Sequence, residues 1–310
     1  MKKISNTCFT LSMFLIAIGI FLNREMIVKT IVQTLLEREE VSFEYKNSYF
    51  LQYKFDYINN MDKFKLENKD DLMDLYYSVI NNGSDTFDFY CPDDYKKCLN
   101  DVTAIAYDSQ VLSTINGFVH PYNSFDTVET YYYSSGRVSL KINKTYSTEK
   151  INLLNTKVEE IVKNEVKNEK DEKKIIKIIH DYIVGHTKYD SDRTDNNVIN
   201  YESNTAYGVL YQGYGICSGY ADAMAIFLNY YGIPNYKVSS ENHVWNAVLL
   251  TNEKGEKQWY HLDLTWDDPI TSNGQDIIDD TYFLKTTEEL KKLKDNQHNF
   301  DYKIYSELAI

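Results

Sequence analysis

The chain has 310 residues, 43% hydrophobic and 25% charged, a globular composition with enough apolar material for one large domain or two. Acidic residues outnumber basic ones 46 to 33, and a surface carrying a net charge of -13 repels polyanions. The densest charged run, "KNEVKNEKDEKK" from Lys163 to Lys174, mixes both signs, so no basic stripe offers a place for DNA or RNA and no nucleic acid partner is expected.

At the N-terminus, Lys2 and Lys3 precede a largely apolar stretch from Phe9 to Leu22. The layout is that of a signal-peptide core or a short signal anchor, and it falls short of the ~20 residues of a full membrane span. Apolar residues continue past Ala17-Ile18-Gly19, the small-x-small triplet near its end, so the segment is expected to stay uncleaved. Residues 1–30 are read as a signal peptide or membrane anchor, and the chain as extracytoplasmic, membrane-anchored or secreted.

Residues 40–147 have the pattern of a small mixed α/β domain of unknown role. "VSFEYKNSYFLQYKFDYI" alternates like a strand or two, and Leu72, Leu75, Tyr76, Val79 and Ile80 predict a helix that ends at Gly83. "DTFDFYC" predicts a strand, and "TVETYYYSSGRVSLKI" a hairpin turning at Ser134-Ser135-Gly136. His120, in "FVHPYNSF", reads as a structural loop histidine. Cys8 lies in the apolar leader. Cys91 and Cys98, in "CPDDYKKC", are either a small disulfide loop of an oxidising compartment or two unpaired thiols.

From residue 148 the chain changes character. "TEKINLLNTKVEEI" predicts a helix that runs into the charged segment, and Ile175, Ile176, Ile179, Tyr182 and Ile183 share one face of a second helix. His180 and His186 on it read as structural or surface residues. The order is then helix, strand, strand, which predicts an α+β fold with helices packed on an antiparallel sheet. Neither Cys-x-x-Cys nor His-Glu-x-x-His occurs, so no metal site is expected, and nothing implies an organic cofactor.

The stretch "YQGYGICSGYADAMAIFLNYYGIP" carries the first sign of chemistry. Tyr220, Met224, Phe227, Leu228 and Tyr231 recur at helical spacing up to Gly232 and Pro234, so a helix begins at or just past Cys217. A helix N-terminus and a neighbouring histidine lower a thiol's pKa and so activate it. The same terminal N–H groups can hold an acyl oxyanion, and Gly213, Gly215 and Gly219 let the backbone approach a substrate. A buried, packed thiol explains this stretch alone equally well.

Downstream, "HVWNAVLL" and "QWYHLDLTW" alternate around the turn "TNEKGEK", a predicted hairpin. His243 shares a strand face with Trp245, and Asp263 shares one with Trp259 and His261. Where the pairing sets His243 beside Asp263, the carboxylate orients the imidazole, as in a nucleophile–base–orienter triad.

Together, "GYGICSGYADAMAIFLNYYGIPNYKV", "NHVWNAVLL" and "WYHLDLTWDDP" resemble the core of the transglutaminase-like cysteine superfamily, in particular bacterial secreted or membrane-anchored transglutaminase-domain proteins. The resemblance runs from about Lys173 to Leu284 and includes "IHDYIVGHTKYD" and "AYGVLYQG". It implies a papain-like fold over residues 148–310, with Cys217 as nucleophile, His243 as base and acid, and Asp263 as orienter. Well-studied transglutaminases place an oxyanion-stabilising Trp upstream of the cysteine; here Trp245, Trp259 and Trp266 all lie downstream. Papain-like peptidases use an upstream Gln, and Gln212 is the candidate, one position nearer the cysteine than their spacing. His261 reads as a wall or structural residue, and Asp267 and Asp268 as loop-shaping alternatives to Asp263.

The expected activity is that of an extracytoplasmic thiol enzyme acting on amide bonds of a protein or peptide, the cell envelope being one source, through an acyl-enzyme. Water as acceptor makes it a peptidase or amidase; an amine makes it a cross-linking acyltransferase. The alternative is a catalytically silent envelope binding or scaffold module of the same fold.

Overall fold

The computed structural model describes residues 13–38, 46–269 and 277–309. The start of the apolar leader, with Cys8, lies outside the described residues. Residues 13–22 are helical, with Phe14, Leu15, Phe21 and Leu22 exposed, and α1 (Arg24–Arg38) follows. Among the described residues no helix is long and apolar enough to cross a membrane.

The predicted helix is α2 (Lys69–Asn81). Asn68 caps it by accepting from the Asp70 and Asp71 amides, and the Asp71 side chain bonds back to the Asn68 amide, so orphan donors are satisfied in both directions. It stops where Gly83 takes φ +80°, a conformation that costs a glycine nothing. Next come β1 (Thr86–Tyr90), α3 (Cys98–Tyr107), α4 (Ser109–Gly117), β2 (Phe125–Tyr132) and β3 (Arg137–Lys144). The hairpin turns at the predicted site, with Gly136 at φ +84°, and the antiparallel sheet has the order β1-β3-β2. Cys91 and Cys98 are joined by a disulfide that ties the end of β1 to the start of α3.

One expectation for this region fails. Residues 41–45 lie outside the described residues, and 46–58 form no strand. The backbone there is held by side chains of α2 instead of a neighbouring strand. Leu51 N donates to Asn81 Oδ1 (3.1 Å), and Leu51 O accepts from Asn81 Nδ2 (2.9 Å) and Asn60 Nδ2 (3.0 Å). Alternating side chains satisfy a partly buried extended segment as well as they satisfy a strand, so the pattern could not distinguish them.

The second region begins with α5 (Thr148–Ile161) and α6 (Glu172–His186). A two-residue parallel pair, β4 (Lys188–Tyr189) with β5 (Tyr214–Gly215), brackets the short α7 (Ser191–Asn196). Then come α8 (Cys217–Tyr230), β6 (Asn235–Ser239), β7 (Val244–Thr251), β8 (Lys257–Leu262) and α9 (Thr287–Leu293). The antiparallel sheet β6-β7-β8 adds one strand to the predicted hairpin. The fold is α+β, with the cysteine-bearing helix packed on an antiparallel sheet.

Both faces of that sheet are buried, and period-two alternation divides the residues between them. Val248, Leu250, Tyr260 and Leu262 pack with α5, α6 and α8. Tyr236, Val238, Trp245 and Ala247 join the core of the N-terminal region, among Phe55, Phe118 and Val138, closed by Tyr305 and Leu308 near the C-terminus. One sheet therefore serves two cores.

Lys237 lies between two residues of the second face, so it points at α8. There its Nζ donates to Asp222 Oδ1 at 2.5 Å, and Tyr146 OH donates to Asp222 Oδ2 at 2.7 Å. The pair is almost fully buried, so removing one partner strands the other charge. Lys237→Met is expected to lower stability by about 3–5 kcal/mol. Combining it with Asp222→Leu should restore much of that loss, as read from urea unfolding midpoints. Equal destabilisation by the single and double variants would show that the pair does not act as a pair.

Candidate active site

Cys217 is the first residue of α8 and is partly exposed. Ile216, the N-cap, offers no side-chain hydrogen bond to the first turn beside the thiol, where the Gly219 amide donates to Ile216 O at 2.9 Å. The helix start is fixed by the segment 202–205. Ile216 N donates to Ser203 O (2.8 Å), and Ser218 Oγ donates to Asn204 O (3.1 Å). A Cβ at Gly219 would collide with Ser203 O, so a glycine is required two residues past the cysteine. Tyr214 stacks on Tyr201, with ring centroids 3.8 Å apart. Gln212 accepts at Oε1 from Glu202 N (2.8 Å), so its carbonyl oxygen anchors the same segment.

His243 sits one residue before β7 and Asp263 one residue after β8. The register pairs Asn246 with Leu262; continued outward, it sets Asp263 across from Trp245 and diagonal to His243. His243 Nε2 and Asp263 Oδ2 are 2.5 Å apart, and the Cys217 side chain lies near enough to act on the same imidazole. Because Nε2 is taken by Asp263, Nδ1 is the nitrogen left for Cys217. Trp245 stacks on the His243 ring (5.7 Å, 17°), and Trp266 approaches its edge. The structure thus brings Cys217, His243 and Asp263 into one chain of contacts at the end of the sheet.

The electrostatics follow from that arrangement. Burial opposes a charge on His243, but the Asp263 carboxylate and the Cys217 side chain outweigh it and push the imidazole up to about 10. Burial likewise works against ionised Asp263, yet His243 and then His298 hold its carboxyl well below the usual carboxylate range. Asp263 Oδ1 accepts from the Thr265 and Trp266 amides at 2.9 and 3.3 Å.

His261 and the neighbouring aspartates take other places. His261 Nδ1 accepts from Trp245 Nε1 (2.9 Å), which leaves its Nε2–H for Thr287 Oγ1 (2.9 Å). Burial, then the nearby His298, pushes it down to about 3, so it is a neutral wall residue. Asp267 accepts from Tyr282 N (2.8 Å) and contacts His180 Nε2 (3.1 Å), while Asp268 accepts from Tyr220 OH. Both tie the loop after β8 to the helices. His120 accepts from Tyr122 N (3.0 Å) and is buried, and His186 is an exposed residue stacked on Tyr182.

His298 is the residue that sequence reasoning missed. It is buried, and its Nε2 lies 2.8 Å from Asp263 Oδ2, the atom that also meets His243. It belongs to "KDNQHNF", a charged segment with no periodicity, where the local sign is the spacing of Asp295 to His298. Asp295 Oδ1 accepts from the Gln297 and His298 amides. His243, Asp263 and His298 converge as three possible metal ligands. Zinc would need each ligand atom at about 2.0–2.2 Å from a shared centre. The nitrogens instead meet the carboxylate oxygen directly, which is a hydrogen-bond network. At a second convergence, His180, Asp181 and Asp280, the cation is Lys177, whose Nζ is 2.7 Å from Asp181 and 3.1 Å from Asp280.

Comparison with known proteins gives one family. Residues 159–264 match the model of the transglutaminase-like superfamily, a span that includes Cys217, His243 and Asp263. The chain contains a transglutaminase-like domain. Among solved structures, one described as the crystal structure of a TGase is similar at 16% identity with a TM-score of 0.34, over 61% of this chain. The similarity spans 52% of that chain, about half its length. No curated protein matches the chain. The transglutaminase-like match ends at Leu264, so Asp295 and His298 lie beyond it.

Proposed function

We propose that the transglutaminase-like domain is a thiol enzyme that transfers acyl groups from amide bonds of a protein or peptide. The observation that supports this most is the unbroken set of contacts from Cys217, at a helix start with no side-chain cap, through His243 to Asp263. In this reading the thiol proton has already passed to His243 Nδ1 when Cys217 Sγ attacks the amide carbonyl carbon. The oxyanion is held by first-turn amides of α8, with Gln212 as a second donor where its amide group is free to turn. His243 then protonates the leaving amine, the C–N bond breaks, and a thioester remains on Cys217. Water or an amine, deprotonated by His243, attacks the thioester and releases the thiol. Asp263 keeps the imidazole oriented and balances its charge.

The reading places the domain outside the cytoplasm and attaches it to a membrane through its N-terminal segment. The Cys91–Cys98 disulfide and the exposed apolar side chains of residues 13–22 support this. The net charge of -13 supports a protein or peptide partner over a nucleic acid.

The test offers the full chain a labelled primary amine with a glutamine-containing protein and, separately, a peptide library. Label incorporation or peptide cleavage that Cys217→Ala abolishes is the expected result, and which of the two appears names the acceptor. Turnover that survives Cys217→Ala would refute the proposal. A silent binding module would give neither reaction.

A further inference from the structure

We propose that His298, anchored by Asp295, is a positioning residue for the acyl-transfer site, acting through Asp263. This inference rests on the thiol-enzyme reading above. Asp263 Oδ2 is met by two imidazole Nε2 atoms, His243 at 2.5 Å and His298 at 2.8 Å, while Oδ1 takes two backbone amides. An ionised carboxylate has about four lone-pair sites, so these four donors fill it and leave it one orientation. Among the described residues, the donor that fixes the oxygen facing His243, apart from His243 itself, is His298.

His298 is itself locked. Its Nδ1 lies 2.7 Å from Asp295 Oδ1, and Tyr282 OH reaches Asp295 Oδ2 at 3.4 Å. Its ring stacks on Tyr282 (4.7 Å, 18°) and is edged by Trp245 (4.8 Å) and Trp266 (5.3 Å). Both ring nitrogens lie within hydrogen-bond distance of carboxylate oxygens, so the ring is held at both ends. The titratable groups around it are Asp263, Asp295, His243, His261 and Tyr282. Without His298, Asp263 Oδ2 gains freedom to turn, and His243 loses the fixed acceptor that aims Nδ1 at Cys217. The chain reaches this site from beyond the span matched by the family, so the device is supplied by its C-terminal segment.

The test uses iodoacetamide labelling of Cys217 at pH 7 in the full chain, with urea midpoints as the folding control. His298→Ala is expected to slow labelling about tenfold, because a small misplacement of a catalytic group is costly. His298→Gln, which keeps a donor near Asp263, should stay within about threefold of wild type. In low-field proton NMR of the wild type, two ring N–H signals belong to Asp263; His298→Gln should remove one and shift that of His243. If His298→Ala does not fold, Asp295→Asn, which releases His298 from its anchor, should slow labelling with the fold retained. Labelling unchanged in His298→Ala, or in Asp295→Asn where that variant carries the test, or His298→Gln as slow as His298→Ala, overturns the proposal. Should His243→Ala slow labelling while His298→Ala does not, this proposal alone falls. Should His243→Ala also have no effect, the thiol-enzyme reading falls and takes this proposal with it.

Discussion

A chain that begins at Thr148 is expected to lose cooperative folding. The sheet β6-β7-β8 is apolar on both faces, and the N-terminal region covers one of them. Without that region Tyr236, Val238, Trp245 and Ala247, each almost fully buried, would lose Phe55, Phe118 and Val138 and keep only the partial cover of Tyr305 and Leu308. Each large side chain contributes roughly 1.5–3 kcal/mol by its burial, so the loss is on the order of 5–10 kcal/mol. Total stabilities of domains run to about 5–15 kcal/mol, so this loss takes most of what is available. The truncation also removes Tyr146, whose hydroxyl donates to buried Asp222 on the cysteine helix. Urea unfolding followed by circular dichroism, with dye binding to exposed apolar surface, checks this. A broad, non-cooperative transition with strong dye binding is expected. A sharp transition close to that of the full chain would contradict the account of the shared sheet.

What the sequence made legible was mostly local. The limits of α8 could be read because Cys217 is followed by a helical apolar period and a Gly-x-Pro stop. The β7–β8 hairpin could be read because two alternating runs flank a short polar turn. Even the diagonal placement of His243 and Asp263 follows once register is known, since strand faces alternate. What stayed hidden depends on contacts distant in sequence. Residues 46–58 alternate like a strand, but their partners are Asn81 and Asn60 side chains, which no periodicity announces. The alternation of Trp245 and Ala247 shows that a face is buried without saying that Phe55 and Phe118 bury it. His298 reaches Asp263 across 35 residues of sequence, so only the folded chain puts it there.

The Lys237–Asp222 pair teaches the same lesson from the energetic side. A lysine in an apolar strand reads as a solvent-facing residue, because an unpaired buried charge is so costly. Its partner lies on the next helix back, with Tyr146 as a third member, and the network joins the cysteine helix to the sheet that carries His243.

The most direct test of the triad is the pH dependence of Cys217 alkylation in wild type and His243→Ala. The raised imidazole, held up by Asp263 and Cys217 against the opposing effect of burial, keeps its proton from below neutrality up to about 10. In that window His243 is the charged partner of the proposed triad, so wild type should be alkylated faster at pH 6 than His243→Ala, which lacks it. In His243→Ala the rate should follow an ordinary thiol titrating near ~8.5, so at pH 6 it should lie roughly 300-fold below its own high-pH plateau. The two curves should converge only near pH 10, where His243 gives up its proton. A wild-type curve that rises like a free thiol and is unchanged by His243→Ala would contradict the account.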